Sequence, residues 1–343
     1  MLSHRKCDSM NVSIRSDMPK GPEISIIIPV YNAADTLERC LQSVLSSAVD
    51  TMEVICVNDG SADRSGEVLA AWAEKDARLR IITQQNAGVS AARNAALREA
   101  TGQYITFVDA DDEITSTYLI HLLQAARKYD ADVVVCGQQQ HNEKGRYSQV
   151  VLPFRDVSQV TPEDMATLPP SVCSHLYAAR ALQTPGGVAQ FPLRIRYGED
   201  TAFHYSVYPH CRHVVQIEET GYIIHYTSGS SNSRVSTLVF DMLKALEWLA
   251  AHYQQYGMPP DCKACLVHYA AHTIRRIHSQ GLHRLQAEAA GSMRRILQTA
   301  GITTADLTCL KKRTATILAD ILHGGNGLNL SYYFKRVRKW LKN

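Results

Sequence analysis

The chain's 343 residues are enough for one large or two ordinary domains, and its 45% hydrophobic and 20% charged content is that of a globular protein. A net charge of only +3 argues against nucleic acid as a partner, and no apolar run reaches the roughly 18 residues a membrane span needs. Nine cysteines, an odd number scattered through a long chain, point to reduced thiols in a cytoplasmic protein.

Residues 1–22 read as a flexible leader without the apolar centre of a secretory signal. Ile24 to Ile28 is then an almost wholly apolar run, as in a strand covered on both faces, and Asp35 to Ser47 follows with helical spacing. Met52 to Val57 predicts a second strand, with Asp63 as N-cap of the helix running to Ala73. Leu79 to Thr83 and Gln103 to Val108 predict further strands, each followed by a helix, over Val89 to Ala100 and Ser116 to Tyr129. Ala131 to Cys136 predicts a fifth. Strands alternating with helices of this length predict an α/β fold: a single, mostly parallel, doubly wound sheet.

Beyond Gly137 the pattern loosens. Gln149 to Phe154, His213 to Ile217 and Gly221 to Tyr226 have strand composition, and Thr161 to Leu168 reads as a short helix. From about Thr237 the chain turns helical, over Leu238 to Tyr253, Cys262 to Ser279, Leu282 to Gln298 and Thr304 to Leu322. The expected organisation is a leader (1–22), a catalytic domain (23–234), a helical C-terminal region (235–325) and a basic aromatic tail (326–343).

In an open parallel sheet, ligands bind outside the carboxyl ends of the strands. Asn32, Asp59 and Asn86 follow the first three strands, and Asp109, Asp111 and Asp112 follow the fourth. One acidic residue there could simply cap the next helix; four polar strand ends point to one shared site. Three carboxylates within four residues repel one another and call for a cation, and oxygen ligands suit Mn²⁺ or Mg²⁺ bound together with substrate phosphates. Asp111 or Asp112 could alternatively cap the following helix in a solvated acidic turn. No G-x-G-x-x-G follows the first strand and no G-x-x-x-x-G-K-[ST] exists, so a diphosphate would be neutralised by metal and not by a glycine-rich loop.

Ser25-Ile26-Ile27-Ile28-Pro29-Val30-Tyr31-Asn32, Val57-Asn58-Asp59-Gly60-Ser61-Ala62-Asp63, Gln85-Asn86-Ala87-Gly88-Val89-Ser90-Ala91-Ala92-Arg93-Asn94 and Val108-Asp109-Ala110-Asp111-Asp112 resemble the signature blocks of glycosyltransferase family 2, in its order and spacing. The resemblance covers about residues 22–232. It implies a GT-A-type nucleotide-sugar domain and inverting transfer from a nucleoside diphosphate sugar, by family habit a UDP-sugar. By motif position Asp59 would bind the base, and Pro29, Tyr31, Arg93, Asp109 and Ala110 would line the nucleotide-sugar pocket. Asp111 would be the principal metal ligand, with Asp109 beside it.

Arg196-Tyr197-Gly198-Glu199-Asp200-Thr201-Ala202-Phe203 resembles the family's glycine–glutamate–aspartate motif and implies Asp200 as general base. Ser174-His175-Leu176-Tyr177 stands where many members carry a lysine, which puts acceptor or phosphate contacts there in doubt. Tyr222 to Ser230 resembles the closing strand and loop, in which His225 is a further candidate for the diphosphate or metal.

Two helical spacings look zinc-like but lack partners: Cys262 with Cys265, and His268 with His272. Both read as helix packing, since neither has further ligands nearby in sequence. Residues 332–342 interleave aromatics with basic residues, a pattern that suits either an anionic membrane surface or a solvated helix end. The implied enzyme is a hexosyl- or N-acetylhexosaminyl-transferase acting on a glycan or lipid-linked acceptor in cell-surface polysaccharide or glycan synthesis, cytoplasmic or at the inner face of the membrane. The competing classes are a Mg²⁺-dependent nucleotidyltransferase, which would want a basic glycine-rich loop after the first strand, and a noncatalytic nucleotide-sugar-binding protein.

Overall fold

A computed structural model describes residues 21–142, 147–226, 235–256, 262–279, 287–310 and 312–324. Its frame is a ten-stranded mixed sheet. The first half alternates as the hydrophobic pattern predicts: β1 (Ile24–Val30), α1 (Ala34–Leu45), β2 (Met52–Asn58), α2 (Ser65–Lys75), β3 (Leu79–Thr83), α3 (Val89–Glu99) and β4 (Tyr104–Phe107). The short β5 (Glu113–Ile114), α4 (Tyr118–Tyr129) and β6 (Val133–Asn142) follow. β1 pairs in parallel with β2 and β4, and β2 with β3, so their carboxyl ends share one edge. Six of the seven residues in each of β1 and β2 are buried, because helices cover both faces of the sheet.

After β6 come β7 (Tyr147–Val150), β8 (Arg155–Ser158), α5 (Pro162–Met165), β9 (His175–Ala178), a two-stranded pair of β10 (Gln183–Thr184) and β11 (Gly187–Val188), α6 (Glu199–Val207) and β12 (His213–Tyr226). The main sheet runs β3-β2-β1-β4-β9-β6-β12-β5. β9 lies antiparallel to both β4 and β6 and is buried throughout, so His175 to Ala178 form a central strand, with Ser174 in the 3₁₀ turn before it. Four residues give no period to read, and this reversed insertion was not visible in the sequence.

The expected strand at Gln149 to Phe154 instead ends at Val150, and a separate strand, β8, begins at Arg155. The strands expected at His213 and Gly221 are one strand, β12, with a shift of register between Ile217 and Tyr222. There Gly221 passes so close to α4 that an added Cβ would stand 2.4 Å from Thr115 Oγ1 and 2.9 Å from Tyr118 Cβ. Asp63 is not the N-cap of α2, which begins after Arg64; its carboxylate accepts the Ser65 and Ala34 N–H groups and so ties the loops after β1 and β2 together.

The helical C-terminal region comprises α7 (Val235–Tyr256), α8 (Cys262–Ser279), α9 (Ala287–Thr299) and α10 (Lys312–Leu322). The single helix expected over Thr304 to Leu322 is broken, with a 3₁₀ turn at Thr304–Cys309 before α10. α7 and α8 pack on α6: Tyr253 Oη donates to the Tyr205 carbonyl at 2.5 Å, and the Tyr205 and Tyr269 rings meet edge to face. The eight described cysteines are free thiols. Residues 1–20 of the leader and the whole basic tail lie outside the described residues, and no described helix is long and apolar enough to cross a membrane.

Candidate active site

The loops leaving β1, β2 and β3 are stitched to one another by polar side chains. Asn32, at φ 49°, accepts the Ala62 N–H through Oδ1, while its own N–H donates to Ser61 Oγ. Asp59 is buried, and its carboxylate accepts Gln84 Nε2 at 2.7 Å, the Ala87 N–H at 2.9 Å and the Gly88 N–H at 2.8 Å. Asp59 therefore fixes the entry to α3, and any base that it binds must share these oxygens. Pro29 is half-buried within β1, Tyr31 beyond it is 53% exposed, and Ala110 is buried with its carbonyl accepting Thr36 Oγ1.

α3 carries Arg93 one turn inside its start. The side chain is 3% exposed, and its fork joins two carboxylates: Nη1 stands 2.6 Å from Asp200 Oδ1 and Nη2 2.9 Å from Asp109 Oδ1. Its guanidinium also lies over the Phe191 ring, 5.2 Å from the centroid. Asn94, the next residue, exchanges two hydrogen bonds with the Phe191 backbone, and Phe191 stacks on Phe203 of α6. One turn of α3 thus holds both the strand end after β4 and the start of α6.

The acidic cluster divides by role. Asp112 is buried, its Oδ2 accepting Tyr222 Oη at 2.8 Å and its Oδ1 the His225 N–H at 3.0 Å. Burial, reinforced by Asp109 and Asp111, pushes its carboxyl up to about 8. Neither Asp111 nor Asp112 caps α4, whose N-cap is Thr117; Asp112 binds the cluster to β12 instead. Tyr222 Oη completes the tie by accepting the Asp109 N–H at 3.1 Å.

Asp111 is exposed at the mouth of the site, and its carbonyl accepts Arg39 Nη2 at 2.8 Å. Desolvation by the surrounding protein, then the charge of Asp109, raise its carboxyl above the ordinary value. A divalent cation would relieve this repulsion, and an exposed carboxylate beside a second one suits Mn²⁺ or Mg²⁺. His225 lies at the same mouth with Nε2 2.7 Å from Glu113 Oε1, and Glu113 in turn pairs with Arg39 at 2.8 Å. Burial, then Arg39, lowers the His225 pKa, which favours the neutral imidazole.

Across Arg93, Gly198 turns the chain into α6 at φ 86°, with Glu199 and Asp200 in the first turn. Asp200 Oδ2 accepts the Val172 N–H at 3.2 Å. Burial raises the Asp200 carboxyl, and Arg93 opposes that shift. Glu199 is pushed up to about 8 by burial and by the charge of Asp200. Tyr269 of α8 donates to the Gly198 carbonyl at 3.1 Å, so the helical region buttresses the turn that presents Asp200.

The structure thus brings Asp109, Arg93 and Asp200 into direct contact, with Asp111 and His225 at the same mouth. His175 is not at the mouth: it is fully buried against His204, ring centroids 4.4 Å apart, and burial drives its pKa down to about 3. A neutral, sequestered imidazole takes no phosphate. Sequence reading missed Arg39, Asn94, Tyr222 and Tyr269. Asn94 and Tyr222 lie in recognised blocks, whereas Arg39 and Tyr269 are helix residues without any local signal.

A mixed sheet whose parallel strands share an acid-rich carboxyl edge, facing a helix with an aspartate in its first turn, is the frame of a GT-A-type glycosyltransferase. The family model "Glycosyl transferase family 2" matches residues 25–181. The Bacillus subtilis (strain 168) uncharacterized glycosyltransferase EpsJ is 32% identical over 255 residues, 71% of this chain and 73% of that one. The chain belongs to glycosyltransferase family 2.

A poly(ribitol-phosphate) beta-glucosyltransferase of Bacillus spizizenii is 31% identical over 191 residues, 54% of this chain and 29% of that protein. Among solved structures, S. aureus TarS 1-349 in complex with UDP-GlcNAc superposes with a TM-score of 0.72 over 88% of each chain at 17% identity, a likeness of fold.

Proposed function

We propose that this enzyme transfers a sugar, with inversion, from a nucleoside diphosphate donor, a UDP-sugar, to a hydroxyl of a glycan or lipid-linked acceptor in cell-surface polysaccharide synthesis. The observation that carries the reading is the Arg93 bridge: one guanidinium separates Asp109, on the side of the acidic mouth, from Asp200 on the other. An inverting displacement needs this division, with leaving-group charge on one side of the anomeric carbon and a base on the other. The relatives named above support the donor class, since TarS was solved with UDP-GlcNAc and the Bacillus spizizenii protein is named as a glucosyltransferase.

In this reading Tyr31 and the loop organised by Asp59 receive the nucleoside. Asp111, with Asp109 and His225 beside it, would hold Mn²⁺ or Mg²⁺, which when bound stabilises the charge on the departing diphosphate. Asp200 takes the proton from the acceptor hydroxyl. Its raised pKa makes it a stronger base than a free aspartate, and Arg93 opposes the rise. The basic segment 332–342 would bring the enzyme to the anionic inner face of the membrane, where a lipid-linked acceptor resides.

The test is donor hydrolysis and transfer with a panel of nucleotide sugars and Mn²⁺. Turnover of one donor with an inverted product supports the reading. No turnover together with no metal-dependent nucleotide binding overturns it.

A further inference from the structure

Away from the acidic mouth, three metal-ligating side chains from three separate elements converge. Glu163 stands in α5, His268 in α8 and Cys309 at the end of the 3₁₀ turn before α10, with one ligand atom of each within 4.8 Å of the others. His268 is 5% exposed, and both its ring nitrogens are buried without a hydrogen bond; Nε2 lies 3.4 Å from Glu163 Oε1. A buried imidazole with neither nitrogen satisfied is uncommon in a native structure and calls for an explanation.

We propose that Glu163, His268 and Cys309 form a second metal site, which takes Zn²⁺ or a similar thiophilic divalent ion and pins the helical region to the catalytic unit. The donor set decides the metal. An imidazole, a thiolate and one carboxylate suit Zn²⁺, whereas the oxygen-rich mouth suits Mn²⁺ or Mg²⁺. Tetrahedral bonds of about 2.0–2.3 Å would draw the ligand atoms to roughly 3.3–3.8 Å from one another. Glu163 already meets that spacing against His268, and its 55% exposed side chain is free to adjust.

The surroundings hold the ligands in place. α5 is closed by a capping box between Thr161 and Asp164, and Arg155 grips Asp164 at 2.8 Å, so Glu163 faces α8 from a fixed turn. Binding would release a proton from the Cys309 thiol and leave a fourth position to water. The ion would hold α8 beside Tyr269, the residue that buttresses Gly198. Of the two zinc-like spacings, only His268 enters this cluster, and its partners Glu163 and Cys309 are not near it in sequence.

Co²⁺ titration of the metal-stripped full chain tests this, because only thiolate ligation gives a sulfur-to-cobalt charge-transfer absorption. The expected result is one such site per chain in the wild type. Asp111→Asn should retain it, Cys309→Ser should abolish it, and Glu163→Gln should weaken it by more than about tenfold, with unchanged far-ultraviolet circular dichroism. Zn²⁺ should compete with Co²⁺ and raise the Tm of the wild type but not of Cys309→Ser. Absence of the absorption, its survival in Cys309→Ser, or its loss in Asp111→Asn would overturn the proposal.

Discussion

Arg93 and Asp200 are 107 positions apart in the chain and meet at 2.6 Å, while the other nitrogen of the same fork holds Asp109 at 2.9 Å. A planar guanidinium buried to 3% exposure has little freedom, so it sets the separation between the two carboxylates as a rigid spacer would. Its cationic charge also opposes the rise that burial imposes on the Asp200 carboxyl.

Asp200→Asn keeps the shape of the side chain and removes its basicity. Transfer should fall by about 10²–10⁴-fold. Nucleotide affinity, read by calorimetry in the presence of Mn²⁺, should change little, because Asp200 faces the acceptor in the proposed arrangement. Loss of nucleotide binding would show that the residue belongs to the donor site.

The pH profile follows from the direction of the Asp200 shift. Burial raises its pKa, and Arg93 pulls it back down. The active form is the ionised one, so kcat/KM should decline as pH falls through a pKa above the ordinary aspartate value of about 3.9. Arg93→Gln removes the lowering influence and should move this acid limb to higher pH. A limb that stays in place would dissociate Arg93 from the base.

Asp111 and Asp112 are adjacent but should fail differently. Asp111 makes its contribution at the mouth, so Asp111→Asn should raise the Mn²⁺ concentration needed for half-maximal rate and leave Tm unchanged. Asp112→Ala strands Tyr222 Oη and the His225 N–H, each loss worth about 1–3 kcal/mol. Its signature should be a lowered Tm in thermal unfolding.

Gly198 links the helical region to catalysis. At φ 86° a side chain is strained, and a Cβ there would stand 2.8 Å from Tyr269 Oη. Gly198→Ala should destabilise by about 1–2 kcal/mol and lower kcat more than it raises KM. Tyr269→Phe, which removes the hydroxyl, should restore part of the lost kcat when combined with it.

Asp132 supplies a stability test away from the site. It is buried, with Oδ1 2.7 Å from Arg180 Nε and Oδ2 accepting the Arg212 N–H at 2.7 Å. Burial alone would raise its carboxyl, but these donors outweigh it and hold the pKa below the usual value. A depressed folded-state pKa gives stability that is full above the unfolded value of about 3.9 and lost as pH falls through the folded one. Asp132→Asn should therefore cost about 2–4 kcal/mol in urea unfolding at pH 7, with the gap to wild type closing below about pH 4.

Much of the frame was legible locally. β1 and β2 announce themselves as apolar runs because helices cover both their faces, and polar residues at the ends of β1 to β4 marked the shared edge. β9 was hidden because a four-residue strand carries no period. Asp112 could be read as a helix cap until β12 was in place, since its acceptors find Tyr222 and the His225 N–H more than a hundred residues away.

The sequence alone determined the class of protein: four motif blocks in register resemble family 2, and that resemblance implies candidate roles for Asp109, Asp111 and Asp200. Local pattern can do this because strand ends and helix starts in an α/β sheet are set by neighbours in the chain. Only the tertiary structure decided which carboxylates face each other, which one is buried, and that Glu163, His268 and Cys309 meet. Those outcomes depend on contacts between elements far apart in the chain, where burial and charge act through distance in space and leave no trace in spacing.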